Sequence, residues 1–298
     1  MNPFLQSLRL RTLPLSVSGI ILGTGLAYNS LPFKEGPGLG FWLVFALAVC
    51  TTLSLQILSN LCDELGDALK GTDADQHGRT AYGLQAGTIT VPQMKNMILL
   101  FIALSVLFGS ALVLVSFWDE ISRSPFSFHL SPFIFLCLGA MAIIGAIKYT
   151  LGKHSYGYMG LGDLGVFLFF GLLSTLGAYY LQLQTLTAEV VWCGAAIGLP
   201  CVGVLNLNNV RDMNNDRAHG KRTLASMLGH TGAKIYHISL LIACMVIFLC
   251  WGHFWPLCVT PLWAWHLWYV WMHEGSDLDL QMPVLMLSTG LISCLGWL

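Results

Sequence analysis

The chain has 298 residues, 55% of them hydrophobic and 10% charged, with 15 acidic residues against 14 basic ones. A soluble domain carries roughly 25% charged residues, so with a mean hydropathy of +0.69 this composition excludes a soluble enzyme and reads as an integral membrane protein. No basic arm or aromatic–basic stripe points to nucleic acid as a partner.

Crossing about 30 Å of hydrocarbon takes around 20 apolar residues. Nine runs qualify: roughly 14–32, 41–60, 93–117, 131–149, 161–182, 189–207, 234–253, 255–272 and 281–298. Residues 1–13 are too polar for a signal-peptide lead, and no small-x-small cleavage site follows Leu15–Tyr28, so the first run is expected to be a retained span. The eighth has almost no loop before it, and its tryptophans suit a membrane–water interface. The nine cysteines show no CxxC spacing and sit mostly in apolar runs, so they read as small core residues rather than disulfides or metal ligands. The expected fold is all-α: one transmembrane domain over 1–298, about nine helices, a central cavity and two acidic cytoplasmic loops.

Orientation follows from the basic residues. Arg9, Arg11, Lys70, Arg79, Lys148, Lys153, Arg211, Arg217, Lys221 and Arg222 fall in the N-terminal segment or in the loops after spans 2, 4, 6 and 8. Lys95 and Lys234 start the helices that leave those loops, whereas Lys34 and Arg123 fall on the other side. The positive-inside rule makes the first side cytoplasmic.

Two acid-rich stretches lie on that side. The first runs Asn60-Leu-Cys-Asp63-Glu64-Leu-Gly-Asp67-Ala-Leu-Lys70-Gly-Thr-Asp73; the second is Asn206-Leu-Asn208-Asn-Val-Arg211-Asp212-Met-Asn-Asn-Asp216. Both follow an apolar run ending in Asn-Leu and both hold an Asn/Asp-xxx-Asp step, a spacing that shares one helix face. Four spans separate them, consistent with parallel internal pseudo-repetition. Neighbouring carboxylates repel, and a divalent cation relieves that repulsion. Oxygen-only donors favour Mg²⁺, which keeps several waters and bridges carboxylates to phosphate oxygens. Two facing clusters would hold a diphosphate between two Mg²⁺ ions, with Lys70, Arg79, Arg211, Lys221 and Arg222 nearby to neutralise the remaining charge. A third polar island, Lys148–Asp163, places Tyr149 and Lys153 four apart: a lysine beside an electron-rich ring.

These segments resemble the UbiA superfamily of intramembrane prenyltransferases. Asp63–Asp73 and Asn208–Asp216, with Gly220-Lys221-Arg-Thr-Leu beyond, are similar to its two Asp-rich motifs, and Tyr149-xxx-Lys153 to its Tyr-xxx-Lys element. Ser7-Leu-Arg-Leu-Arg-Thr-Leu-Pro14-Leu, Ile57-Leu-Ser-Asn60-Leu, Gly87-Thr-Ile-Thr90 and Tyr156-Gly-Tyr-Met-Gly-Leu-Gly-Asp163 look like the branch that prenylates 1,4-dihydroxy-2-naphthoate. The likeness spans about residues 5 to 235. The first motif departs from the usual Asn-Asp-x-x-Asp, reading Asp63-Glu64-Leu-Gly-Asp67, which leaves open whether Asp63 or Glu64 meets metal.

The resemblance implies that Asp63, Glu64, Asp67, Asp73, Asp212 and Asp216 ligate metal, with Asp67, Asp212, Asp216, Tyr149 and Lys153 serving catalysis. Asn60, Asn208, Lys70, Arg79, Arg211 and Lys221 would then bind the diphosphate, and Arg9 or Arg11 the carboxylate of an aromatic acid. The implied reaction ionises a polyprenyl diphosphate; the naphthoate ring attacks the allylic cation, and CO₂ is lost. An apolar cage keeps water from that cation. The implied setting is the bacterial inner membrane and menaquinone synthesis. A 4-hydroxybenzoate acceptor is the alternative within the class. A divalent-cation transporter is the alternative outside it, but spans 2, 3, 6 and 7 have almost no ionisable residues near mid-span.

Overall fold

The structure is a computed structural model that describes residues 3–32, 37–72, 83–124 and 129–298. Within them the chain runs nine times between the two ends of the molecule. The first five helices are α1 (Leu13–Asn29), α2 (Leu39–Lys70), α3 (Val91–Ser116), α4 (Leu130–Lys148) and α5 (Gly162–Leu183). They are followed by α6 (Ala188–Arg211), α7 (Leu224–Cys250), α8 (Thr260–Met272) and α9 (Gln281–Leu295). A multi-pass membrane protein results.

Among the described residues eight helical stretches are long and apolar enough to cross a bilayer, and α8 is not one of them. It has only 13 residues, yet its surroundings show that it runs between the two ends of the molecule. His253, just before it, pairs with Glu189 of α6 at 3.0 Å. At its far end Lys234 Nζ donates to Trp271 O at 2.9 Å, and Asp279, shortly beyond, pairs with Arg211 at the opposite end of α6. With the 3₁₀ turn Trp255–Val259 in front, the segment spans roughly 30 Å at helical rises of about 1.5 and 2.0 Å per residue.

Local sequence sets the boundaries. Thr90 and Gln93 form a reciprocal capping box that starts α3, and Thr223 and Ser226 do the same for α7, each satisfying two otherwise orphaned donors. α7 breaks at Gly229, so its first turn packs separately from the spanning part. α2 has 32 residues and so measures about 48 Å. It overshoots the hydrocarbon, and the first acidic cluster rides on its projecting end rather than in a loop.

α6 is the most enclosed of the spans. It meets α5 backbone to backbone: a Cβ on Gly171 would lie 2.6 Å from Gly198 Cα and 2.8 Å from Gly194 O. Small residues are what allow that approach between membrane helices. α5 carries a π-helical stretch at Phe167–Leu173, and Phe169, Phe170 and Leu173 from it face the central cavity. The bundle closes on itself, because Trp297 Nε1 donates to Ile21 O (2.9 Å) and Asn29 Nδ2 to Gly296 O (3.2 Å). Trp42 stacks on the Trp297 ring. All nine cysteines are free thiols.

Candidate active site

A cavity of about 610 Å³ occupies the middle of the bundle. Its walls are apolar over most of their depth, including Ile20, Ala48, Leu112, Phe135, Phe169 and Leu181. Its head is charged: Asp63 and Asp67 from the end of α2 face it together with Asp212, which caps α6, and Asp216, from the short helix Met213–Ala218 that follows. Asn215 Nδ2 donates to Thr72 O at 2.9 Å, linking the second motif to the turn that ends α2. The two acidic clusters therefore belong to one site at one end of the molecule.

Each cluster is already engaged. Asp63 accepts a 2.7 Å bond from Arg9 Nη1, and Asp67 one of 2.7 Å from the Tyr158 hydroxyl. Arg211 grips Asp212 with a two-pronged fork at 2.8 and 2.7 Å, and its remaining arm holds Asp279. Lys221 Nζ stands 3.7 Å from Asp216, which is almost wholly buried. Burial pulls the Lys221 ammonium down, but Asp67, Asp216 and Asp63 together hold it above the ordinary lysine range, so it stays charged. Tyr149 and Tyr156 meet edge to face at 5.3 Å on the cavity wall. Burial raises both phenols, Tyr156 to about 12, so both remain neutral.

Not every expected residue faces the cavity. Asp63 and Glu64 are neighbours on a helix, so their side chains diverge by about 100°. Asp63 reaches the cavity, whereas Glu64 is fully buried and its Oε1 accepts from Leu84 N at 2.8 Å. Lys153 stands exposed outside it. A four-residue spacing brings Lys153 beside Tyr149 only on a continuous helix, but α4 ends at Lys148 and Gly152, at φ +93°, reverses the chain. Lys221 supplies the ammonium at the cavity head instead. Lys70 is also diverted, donating at 2.6 Å to both Thr150 O and Ser155 Oγ.

Asn60 lines the cavity but spends its amide on the N-terminal segment, with Nδ2 donating to Leu8 O (3.0 Å) and Thr12 Oγ1 (3.2 Å). That segment carries Arg9 in a left-handed conformation, φ 49° and ψ 52°, and Arg11, which also lines the cavity. Asn208 lines it too, while its Nδ2 bonds back to Val204 O at 3.2 Å. Asp73 and Arg79 lie outside the described residues. The sequence reading passed over Asp279, Tyr156 and Tyr158 as site residues. Tyr156 and Tyr158 lie in the polar island it singled out, and Asp279 on the face it took as cytoplasmic.

Oxygen is the donor atom throughout, which suits a hard cation. Among the described residues no three acidic, histidine or cysteine side chains converge to enclose an ion by themselves. Such a set fits an ion that shares its coordination with waters and phosphate oxygens, as Mg²⁺ does.

An apolar cavity headed by paired carboxylates, a lysine and an arginine, inside nine helical passes, defines a polytopic membrane protein with an amphiphilic central cavity. The comparisons name that class: the UbiA prenyltransferase family profile matches residues 33–286, and the chain belongs to that family. A 1,4-dihydroxy-2-naphthoate octaprenyltransferase of Escherichia coli (strain K12) is 41% identical over 263 residues, 88% of this chain and 79% of that protein. The protein of the same name from Haemophilus influenzae is 34% identical, covering 98% of this chain and 94% of that one. In fold the chain is similar to a UbiA homolog from Aeropyrum pernix K1, with TM-score 0.67 at 14% identity over 95% of this chain and 96% of that one. It is also similar to a UbiA homolog from Archaeoglobus fulgidus bound to GPP and Mg²⁺, with TM-score 0.60 at 16% identity over 98% and 99% of the two chains.

Proposed function

We propose that this prenyltransferase transfers a polyprenyl group from polyprenyl diphosphate to 1,4-dihydroxy-2-naphthoate, with release of diphosphate and CO₂, in menaquinone biosynthesis. The observation that carries the reading is the joint arrival of Asp63, Asp67, Asp212, Asp216 and Lys221 at the head of one otherwise apolar cavity. The names of the Escherichia coli and Haemophilus influenzae relatives support the acceptor.

In this reading Asp63, Asp67, Asp212 and Asp216 would hold Mg²⁺, two ions by the pairing of the motifs, which would supply Lewis-acid charge at the diphosphate leaving group. Lys221 adds a fixed cation where negative charge grows as the allylic C–O bond breaks. Tyr149 and Tyr156 turn neutral aromatic faces to the cavity, where they stabilise an allylic cation without quenching it. The apolar walls exclude water and solvate the isoprenoid. Arg9 and Arg11, beside Asp63, recognise the acceptor's carboxylate. A C–C bond from ring to allylic carbon then replaces the C–O bond, and departure of CO₂ returns the ring to aromaticity. The basic residues around the motif end support a cytoplasmic assignment for that face, in a bacterial inner membrane.

The test is product formation by membranes holding the protein, supplied with Mg²⁺, a polyprenyl diphosphate and either acid. Prenylated naphthoquinol is expected from 1,4-dihydroxy-2-naphthoate, and product from 4-hydroxybenzoate alone would overturn the acceptor assignment. Asp67→Ala and Asp212→Ala should each cut turnover on the order of 10²–10³-fold with the thermal midpoint preserved; near-wild-type rates would remove these residues from the site.

A further inference from the structure

We propose that Tyr158 is a positioning residue that aims the Asp67 carboxylate and ties the two acidic motifs into a single diphosphate head site. The proposal rests on the reading of that head site given above.

The bonds around its hydroxyl run in one direction. A carboxylate has no proton to give, so the Tyr158 O–H donates to Asp67 Oδ1, at 2.7 Å. The Thr72 hydroxyl lies 2.6 Å from the same phenol oxygen and so donates to it. A relay Thr72→Tyr158→Asp67 results, in which each bond polarises the next. It fixes the Asp67 rotamer before any ligand arrives, and Asp67 is the acid of the first motif that lies deepest in the protein among those facing the cavity.

The backbone of the same residue serves the second motif. Arg222 N donates to Tyr158 O at 3.1 Å, and Met159 and Arg222 form a parallel bridge. Arg222 directly follows Lys221, whose own N–H donates to Asp216 O at 2.8 Å. One residue therefore touches the first motif through its side chain and the second through its main chain.

The ring is held as firmly as the hydroxyl. Lys70 Nζ sits 3.5 Å from the ring centroid, anchored by Thr150 O and Ser155 Oγ, and Lys221 Nζ lies 5.3 Å from that centroid. Two ammonium groups that would otherwise repel, one from each motif, thus lie near one electron-rich ring, whose quadrupole attracts both. With the ring clamped, the O–H has one place to point.

Tyr158→Phe keeps the ring, the lysine contacts and the backbone bridge, and removes the O–H alone. Isothermal titration of purified protein with inorganic diphosphate and Mg²⁺, without acceptor, reads the head site independently of turnover. The variant should bind on the order of tenfold more weakly, because the ligand must then order an Asp67 carboxylate that is no longer aimed in advance, beyond whatever small drop in ligand-free thermal midpoint the missing bond causes. In turnover the half-saturating Mg²⁺ concentration should rise more than kcat falls. A purely structural tyrosine would lower the midpoint and leave binding alone, and equal binding by variant and wild type overturns the proposal. If Tyr158→Phe does not fold, Thr72→Val removes only the upstream donor and should weaken binding in the same direction; unaltered binding in that variant also overturns it. Failure of the wild type itself to bind diphosphate with Mg²⁺ would instead bring down the head-site reading, and this proposal with it.

Discussion

At the scale of single residues the site depends on which neighbour faces inward. Asp63 and Glu64 differ by one position and one methylene, yet one pairs with Arg9 at the cavity while the other is buried against the backbone of Leu84. Among the lysines the same sorting favours Lys221 over Lys153. Lys221 is raised above its unfolded value because Asp67, Asp216 and Asp63 outweigh its burial. A raised folded pKa means that its ion-pair stability is complete below the unfolded value of about 10.4 and drains away only as pH climbs through the higher folded value. Wild type and Lys221→Met should therefore differ in thermal midpoint by a constant amount from pH 6 to 9, with Lys221→Met nearly inactive and Lys153→Ala within about twofold of wild type. A midpoint gap that closes between pH 6 and 9 would contradict this account of Lys221.

At the scale of elements, the helices bring the chemistry together through their lengths and contacts. α2 overshoots the membrane core and so lifts Asp63 and Asp67 to the surface, where α6 delivers Asp212 at its own end. α5 carries its π-helical stretch along the cavity, and π-helical turns widen a helix at the cost of poorer hydrogen bonding. Its position depends on the approach of Gly171 to α6. Gly171→Ala would drive a methyl group into Gly198 Cα and Gly194 O, backbone atoms that cannot swing aside. The expected cost is about 1–3 kcal/mol, with a raised KM for the prenyl donor because Phe169 and Phe170 move with the helix. A thermal midpoint equal to wild type would show that the contact carries no weight.

At the scale of the whole molecule, nine passes leave the first and last helices running in the same direction, with the two chain ends at opposite ends of the bundle, and the Trp297 clasp joins those two helices. Reporter fusions at the two termini should therefore report opposite sides of the membrane, and fusion after Ser30 should agree with the C-terminal one. Matching signals from both termini would mean that α8 does not cross. Charge is distributed on the same plan. The acids and their cations gather at one end, and the cavity beneath is apolar, so a diphosphate can sit in a polar rim while an isoprenoid stays in a dry interior.

The sequence by itself determined the class of fold, a count of about nine long helices and both acidic motifs, because hydrocarbon thickness and charge cost act on any chain whatever its partners. It also marked Tyr149 and Lys221, both of which line the cavity, because residue type and position near a helix end are legible without tertiary contacts. Only tertiary structure decided between Asp63 and Glu64, turned Lys153 outward, and set Asp279 on Arg211 and Tyr158 on Asp67. Those choices lie in helix rotation, a chain reversal and contacts between segments far apart in sequence. A helical repeat gives the faces of one helix, but not which neighbour each face will meet.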